Sequence, residues 1–241
     1  MPLLFDILHE DADLLVINKP AGLVCHPTKG DAYSSLIGRV RLHLGTDAQP
    51  RLVNRLDRET SGVIVVAKTL AAAGELGRVW ETRAVTKSYL AIVHGHVAPH
   101  RQLIDVPLGK DESSAVAIKD CVRSDGSPAQ TEVEVVRRFE REGRPFTLVR
   151  AGPRTGRKHQ LRIHLAHAGH PIVGDKLYGG DEWLYLDFVF GRLTEEQRAR
   201  LILPHHALHA ECLDFFWRGQ PWHFRAEPEE WFTVFVGGVV E

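Results

Sequence analysis

The segment RLVNRLDRETSGVIVVAK, residues 51–68, ends in an unbroken apolar run from Val63 to Ala67 that opens on the turn formers Thr60, Ser61 and Gly62. A short, β-branched run bounded in this way predicts a buried strand, so the chain must supply other strands and helices to cover it. The residues before the run are as informative: Asp57 and Glu59 are interleaved with Arg55 and Arg58 at the mouth of that strand. The turn formers put Asp57 in a tight loop on a rigid support, a place where a side chain can face a cleft.

The rest of the chain reads as more of the same architecture. Leu3 to Leu8 and Leu14 to Ile17 predict short strands, and KPAGLVCHPTKG predicts a Gly and Pro loop. Ser34 to Leu44 has helical spacing, and LAAAGELGRVWETRAV, residues 70–85, has the Ala and Leu content of a helix. KSYLAIVHGHV, alternating segments between Ala115 and Val136, FTLVRA, LHAECLDFFW and WHFRAE predict further strands. Leu161, Leu165 and Ala168 fall on one helical face, and Gly169 and Pro171 stop that helix. Residues 180–203 predict an inserted surface element in which Thr194 and Gln197 form a capping box. Short strands interleaved with few helices imply an α+β fold with a mixed, largely antiparallel sheet and flanking helices rather than regular βαβ units.

At 241 residues the chain suits a single domain of two sub-halves, with 44% hydrophobic residues to fill a core. No apolar stretch approaches the ~20 residues of a membrane span, and acids arrive too early for a signal peptide, so a cytoplasmic protein is expected. Cys25, Cys121 and Cys212 have neither a disulfide nor a zinc spacing. The net charge is only −1, yet it is segregated: Arg137 to Arg162 hold nine basic residues and two acids, whereas residues 181–241 hold eleven acids and five Arg. A local basic face binds phosphates by counterion release even on a neutral chain, so the balance permits a nucleic-acid partner without requiring one.

Two constellations carry candidate chemistry. A carboxylate at Asp57 suits a reactive group only if a cation keeps it charged, because burial raises a carboxyl by up to ~3–5 pKa units and a nearby Arg lowers it by ~1–3; an ordinary loop salt bridge is the alternative. In RAGPRTGRKHQLRIH, Arg154, Arg157 and Lys158 crowd the start of the predicted helix, the end that disfavours cations by about 0.3–1 kcal/mol each. An anion at that end, a phosphate or a carboxylate from elsewhere in the chain, explains them; arginines splayed into water are the alternative. His159, His164, His167, His170, His205, His206 and His209 include metal-ligand spacings but no complete ligand motif, so no metal is expected. No dinucleotide or phosphate loop is present.

Together NKPAGLVCHP (18–27), RLDRETSGVIVVAK (55–68), KSYLAIVHG (87–95) and TGRKHQLRIHLAHAGHPIVGDKLYG (155–179) resemble, in order and spacing, the RluA-type RNA pseudouridine synthases, from about Ile7 to Phe224. The resemblance implies a cofactor-free isomerase that converts uridines of structured tRNA or rRNA to pseudouridine, on a fold with a central active-site cleft. Asp57 matches the catalytic aspartate, Tyr89 the tyrosine that packs on the target base, and Arg157 the arginine that pairs with the aspartate. Leu161 matches an apolar contact to uracil and Arg55 the residue that fills the space of the extruded base; Arg154, Lys158 and Arg162 supply a basic surface for flanking phosphates. Arg58 and Glu59 are expected to make a plain surface pairing. Asn54 departs from the His of many relatives, and the chain begins almost directly at the catalytic fold without an S4-like segment. A monomer with no obligate protein partner is expected. A non-catalytic RNA-binding module, a hydrolase using Asp57 and Glu59, and a metal hydrolase are the competing classes.

Overall fold

The computed structural model describes residues 5–27, 32–45 and 47–238; Leu3 and Leu4 of the first predicted strand lie outside them. The chain forms β1 (Asp6–Glu10), β2 (Leu14–Lys19), α1 (Leu36–Leu44), β3 (Arg51–Leu52), β4 (Ser61–Ala67), α2 (Leu70–Glu81) and β5 (Val85–His94). Next come β6 (Arg101–Asp105), β7 (Leu108–Lys110), β8 (Asp120–Val122), β9 (Gln130–Arg141) and β10 (Arg144–Pro153). The remainder is α3 (Gln160–His167), α4 (Trp183–Val189), α5 (Glu195–Leu201), β11 (Leu208–Trp217), β12 (Gln220–Arg225) and α6 (Glu230–Val236). Two compact units divide it: Met1–Ser88 with His209–Thr233, and Tyr89–Leu208 with Val234–Glu241.

In the first unit β4 is the centre. β2 pairs with it antiparallel from Leu14↔Ala67 to Lys19↔Gly62, and β1 pairs with β2. β3 holds β4 at Val66 and Ala67, and β11 runs parallel to it at Ser61 and Gly62, with β12 beside β11. One parallel pair among antiparallel ones makes the sheet mixed, as the sequence implied. All seven residues of β4 are buried, as its apolar run predicts. Ala72 and Leu76 of α2 pack on Leu14, Val16, Val63, Val65, Phe215, Trp217 and Phe224, and Thr69 caps the helix by accepting from the Ala72 amide. The helix is shorter than predicted: it ends at Glu81 because Arg83 turns left-handed at φ 57° and Val85 enters a strand.

The close approach of β11 depends on Gly62. Its φ is +113°, and a Cβ built there would lie 2.2 Å from the Ala210 carbonyl oxygen. Thus the turn that carries Asp57 is followed by the one residue type that lets the parallel strand in.

In the second unit β5, β10, β9 and β6 form an antiparallel sheet, with Tyr89 opposite Ala151. The β9–β10 hairpin closes through Glu142 and Gly143 at φ 52° and 69°, and Phe139, Phe146 and Phe235 cluster beside it. Between Ala115 and Val136 the expected strands are β8 and the start of β9, which carries TEVEVV, each in an antiparallel pair. The 180–203 segment holds α4, which its sequence did not announce, and α5, whose Thr194 and Gln197 form the expected capping box.

Candidate active site

Asp57 sits half-buried in the first unit, in a turn closed by its own carbonyl accepting from the Thr60 amide at 3.2 Å. That turn is clamped by the loop after β2. The Lys19 ammonium, fully buried, donates to the carbonyls of Pro20 at 2.8 Å, Leu23 at 2.9 Å and Arg58 at 3.1 Å. The Gly22 amide donates to the same Arg58 carbonyl at 2.9 Å, the Arg58 Nε donates back to the Gly22 carbonyl at 3.3 Å, and the Cys25 thiol donates to Leu56. The peptide that precedes Asp57 and the one that follows Arg58 are therefore held from one side. Burial drives the Lys19 ammonium down to about 8, while Cys25, Glu229, Asp57 and Glu59 push it back up. Lys19 is thus a buried cation within electrostatic reach of Asp57, and no sequence pattern had singled it out.

The neighbours of Asp57 divide by burial. Arg55 is exposed and, among the described residues, has no hydrogen-bond or ion-pair partner, leaving its guanidinium available. Glu59 is only 6% exposed, which corrects the surface pairing expected of it. Asn54 donates to the Val63 carbonyl at 3.1 Å and accepts from the Val65 amide at 2.8 Å, so it pins the loop along β4. Behind the turn, Ser61 bonds His209 Nδ1 at 2.9 Å while His209 Nε2 bonds the Ala226 carbonyl at 2.9 Å. A donor at Nε2 and an acceptor at Nδ1 satisfy a neutral imidazole, in keeping with a pKa lowered by desolvation.

The other sequence-derived candidates lie in the second unit. Tyr89 is half-buried in β5 and Leu161 is buried in the first turn of α3. The loop before α3 is organised by Gln160, buried and fully used. Its Oε1 accepts from the Arg157 amide at 3.0 Å and from the Thr155 hydroxyl at 2.7 Å, and its Nε2 donates to the Gln130 carbonyl and the Thr131 hydroxyl. Arg157 is exposed, with Nε donating to the Pro128 carbonyl at 3.2 Å. The crowding of cations there has a partial folding reason: exposed Arg154 pairs with Glu132, and Lys158 with Asp120 at 2.9 Å.

Arg162 differs from these. It is 5% exposed and forks onto Asp175 through Nε at 2.7 Å and Nη2 at 2.8 Å, which makes it an internal ion pair rather than part of an open phosphate surface. Desolvation pushes the Asp175 carboxyl up, but the Arg162 charge and hydrogen bonds outweigh it and hold the acid well below its usual range. Three more of the histidines with metal spacings make hydrogen bonds within the fold: His164 bonds Thr131 and the Val106 carbonyl, His170 the His94 carbonyl, and His159 the Tyr178 hydroxyl.

A family model described as RNA pseudouridylate synthase matches residues 13–167, well over half the chain, including Asp57, Tyr89, Arg157 and Leu161. The chain belongs to the RNA pseudouridylate synthase family. Its resemblance to the RluA type is equally plain. The dual-specificity RNA pseudouridine synthase RluA of Yersinia pestis is 38% identical over 226 residues, covering 92% of this chain and 98% of that protein. YlyB of Bacillus subtilis, an uncharacterized RNA pseudouridine synthase, is 37% identical over 185 residues, 74% of this chain; the chain spans 59% of that relative's length. The structure of human RNA pseudouridylate synthase domain containing 1 superposes with a TM-score of 0.75 at 28% identity, covering 95% of this chain and 85% of that one. The pseudouridylate synthase family fold is therefore that of this chain. Among the described residues no helix is long and apolar enough to cross a membrane.

Proposed function

We propose that this chain is an RNA pseudouridine synthase that isomerises selected uridines of structured tRNA or rRNA without a cofactor. The observation that carries the reading is the Asp57 turn: a half-buried carboxylate on a loop immobilised by Lys19 and Gly22, within the segment the family model matches. Such a fixed carboxylate is what a reaction at the ribose or base of a flipped nucleotide needs, since a misplacement of about 1 Å can cost ~100-fold in rate.

The chemistry balances without redox change. The target uridine leaves the stack at a cost of a few kcal/mol, offset by contacts to the flanking phosphates. Asp57 acts on the nucleoside as the N1–C1′ bond breaks. The uracil turns, C5 bonds to C1′, the C5 proton passes to solvent, and N1 takes up a proton. In this reading Tyr89 packs on the base and assists removal of the C5 proton, Arg157 keeps Asp57 charged, Leu161 contacts the uracil, and Arg55 occupies the vacancy left in the RNA. Arg154 and Lys158 meet phosphate by exchanging Glu132 and Asp120 for it.

Incubation with transcribed tRNA and rRNA fragments, followed by mass spectrometry of the nucleosides, tests the proposal. Formation of pseudouridine with no free uracil is the expected result. Binding without conversion marks a non-catalytic RNA-binding module, and released uracil marks a hydrolase.

A further inference from the structure

The residue just before α3, His159, adopts a left-handed conformation, φ 55° and ψ 17°, and makes no side-chain cap to the helix. For a residue with a Cβ that conformation costs about 1–2 kcal/mol, so something must hold it. The holder is Tyr178. Its hydroxyl lies 2.9 Å from His159 Nδ1, and it accepts from the Asp120 amide at 3.3 Å. The hydroxyl thus bonds both the Asp120 amide and the imidazole nitrogen, the tautomer of His159 setting whether hydroxyl or imidazole donates. The two rings also meet edge to face, with centroids 5.6 Å apart.

Tyr178 is fixed in turn from beneath. The Arg162 guanidinium lies 5.0 Å from its ring centroid, Arg162 is forked onto buried Asp175, and Asp175 also accepts from the amides of Leu177 and Tyr178 at 2.9 and 3.0 Å. The ring packs with Leu108, Ala129 and Ile163. The Tyr178 hydroxyl remains protonated through the working pH range, because desolvation raises its pKa well above the usual tyrosine value against the Asp120 amide. The chain from Asp175 through Arg162 and Tyr178 to His159 is thus continuous and made of rigid contacts.

We infer that the Tyr178 hydroxyl and the left-handed His159 form a latch that sets the position of Arg157, making Tyr178 a positioning residue for the reaction proposed above. Arg157 lies two residues from His159. One end of the loop is held by Gln160 accepting from the Arg157 amide, and the other by the latch. The inference rests on Arg157 serving that reaction. Yet the latch itself is a property of the loop that shows without activity.

Tyr178→Phe tests it, since the ring, its packing and its contact with Arg162 remain and only the hydroxyl goes. The expected result is a Tm lowered by no more than the loss of the Asp120 amide's acceptor, a kcat lower by roughly ten- to a hundredfold with little change in KM, and faster amide hydrogen exchange at Arg157 and Gln160. His159→Asn tolerates the left-handed conformation and carries an amide in place of Nδ1; it keeps near-wild-type kcat. His159→Val, β-branched, behaves like Tyr178→Phe. Wild-type kcat in Tyr178→Phe, or a loss that merely tracks a lowered Tm, overturns the inference. If the wild-type chain forms no pseudouridine, the functional reading falls, and the exchange measurement still decides the latch: faster exchange in Tyr178→Phe supports it, unchanged exchange overturns it.

Discussion

The buried Lys19 ammonium donates a hydrogen bond at 3.1 Å to the main-chain carbonyl of Arg58, the residue that follows Asp57. A cation taken fully out of water is costly, and here three carbonyl partners offset that cost at the point where the loop after β2 meets the Asp57 turn.

Replacing Lys19 by Met sets two effects against each other. It removes a desolvated charge, but it leaves the Pro20 and Leu23 carbonyls without this donor at about 1–3 kcal/mol each, while the Arg58 carbonyl keeps the Gly22 amide, and the lost hydrogen bonds outweigh the relieved charge. Lys19→Met is expected to lower Tm and to lower kcat, because the Asp57 turn loosens. The pH dependence has a definite sign. The folded-state value is about 8 and an unfolded lysine titrates near ~10.4, so the unfolded chain binds the extra proton between those values. Lys19 therefore weighs fully against folding below pH 8, and that penalty is relieved as pH rises through the window. Unfolding titrations of wild type and Lys19→Met check this: the stability difference between them should grow across that window.

Gly62→Ala is expected to be severe. The new Cβ would sit 2.2 Å from the Ala210 carbonyl at a φ of +113°, which overpacks the junction of β4 and β11 and strains the backbone together, a loss of about 3 kcal/mol or more. Denaturant unfolding measures it. Gly74→Ala, where nothing lies within 4 Å of the added Cβ, serves as the control and stays at or above wild-type stability.

The Arg162–Asp175 pair predicts non-additive losses. Either Arg162→Met or Asp175→Leu alone strands a buried charge, at about 3–5 kcal/mol, whereas the double variant strands no charge and recovers part of that loss, the Leu177 and Tyr178 amides still lacking their carboxylate acceptor. Because the Asp175 pKa is lowered in the fold, its contribution is present above its unfolded value near ~3.9 and is lost as pH falls below it. Acid unfolding of wild type should therefore steepen below about pH 4, and the double variant should lack that component.

Much of this was legible in the residues. The apolar run of β4, the existence and stop of α3 and the Thr194–Gln197 box needed only local rules, and four ordered motifs carried the family; the single apolar face read for α3 did not hold, since Gln160 to Leu165 are all buried. The buried lysine was harder, although its signal was present: Leu15, Ile17 and Lys19 alternate on one face of β2, so Lys19 continues a buried row. Lysine at the edge of a turn reads as solvent-facing unless carbonyl partners from distant segments are known. Glu59 likewise read as solvent-facing, and it is buried. Gln160 and Tyr178 are ordinary residues in sequence, and their importance comes from distant partners, Gln130 at a separation of 30 residues and Asp120 at 58. Helix α4 was missed because WLYLDFV is apolar on nearly every side and has no cap: Glu182 at its start makes no side-chain cap bond.

Asp57→Asn provides the most direct test of the account. It keeps the side-chain shape and the turn but removes the charge. Wild-type and variant protein are incubated with tRNA and rRNA labelled with tritium at uridine C5, and released tritium is counted beside mass-spectrometric pseudouridine. The account predicts conversion by wild type and none above background for Asp57→Asn, with RNA binding and Tm retained. Pseudouridine formation by Asp57→Asn at a rate close to wild type would contradict it.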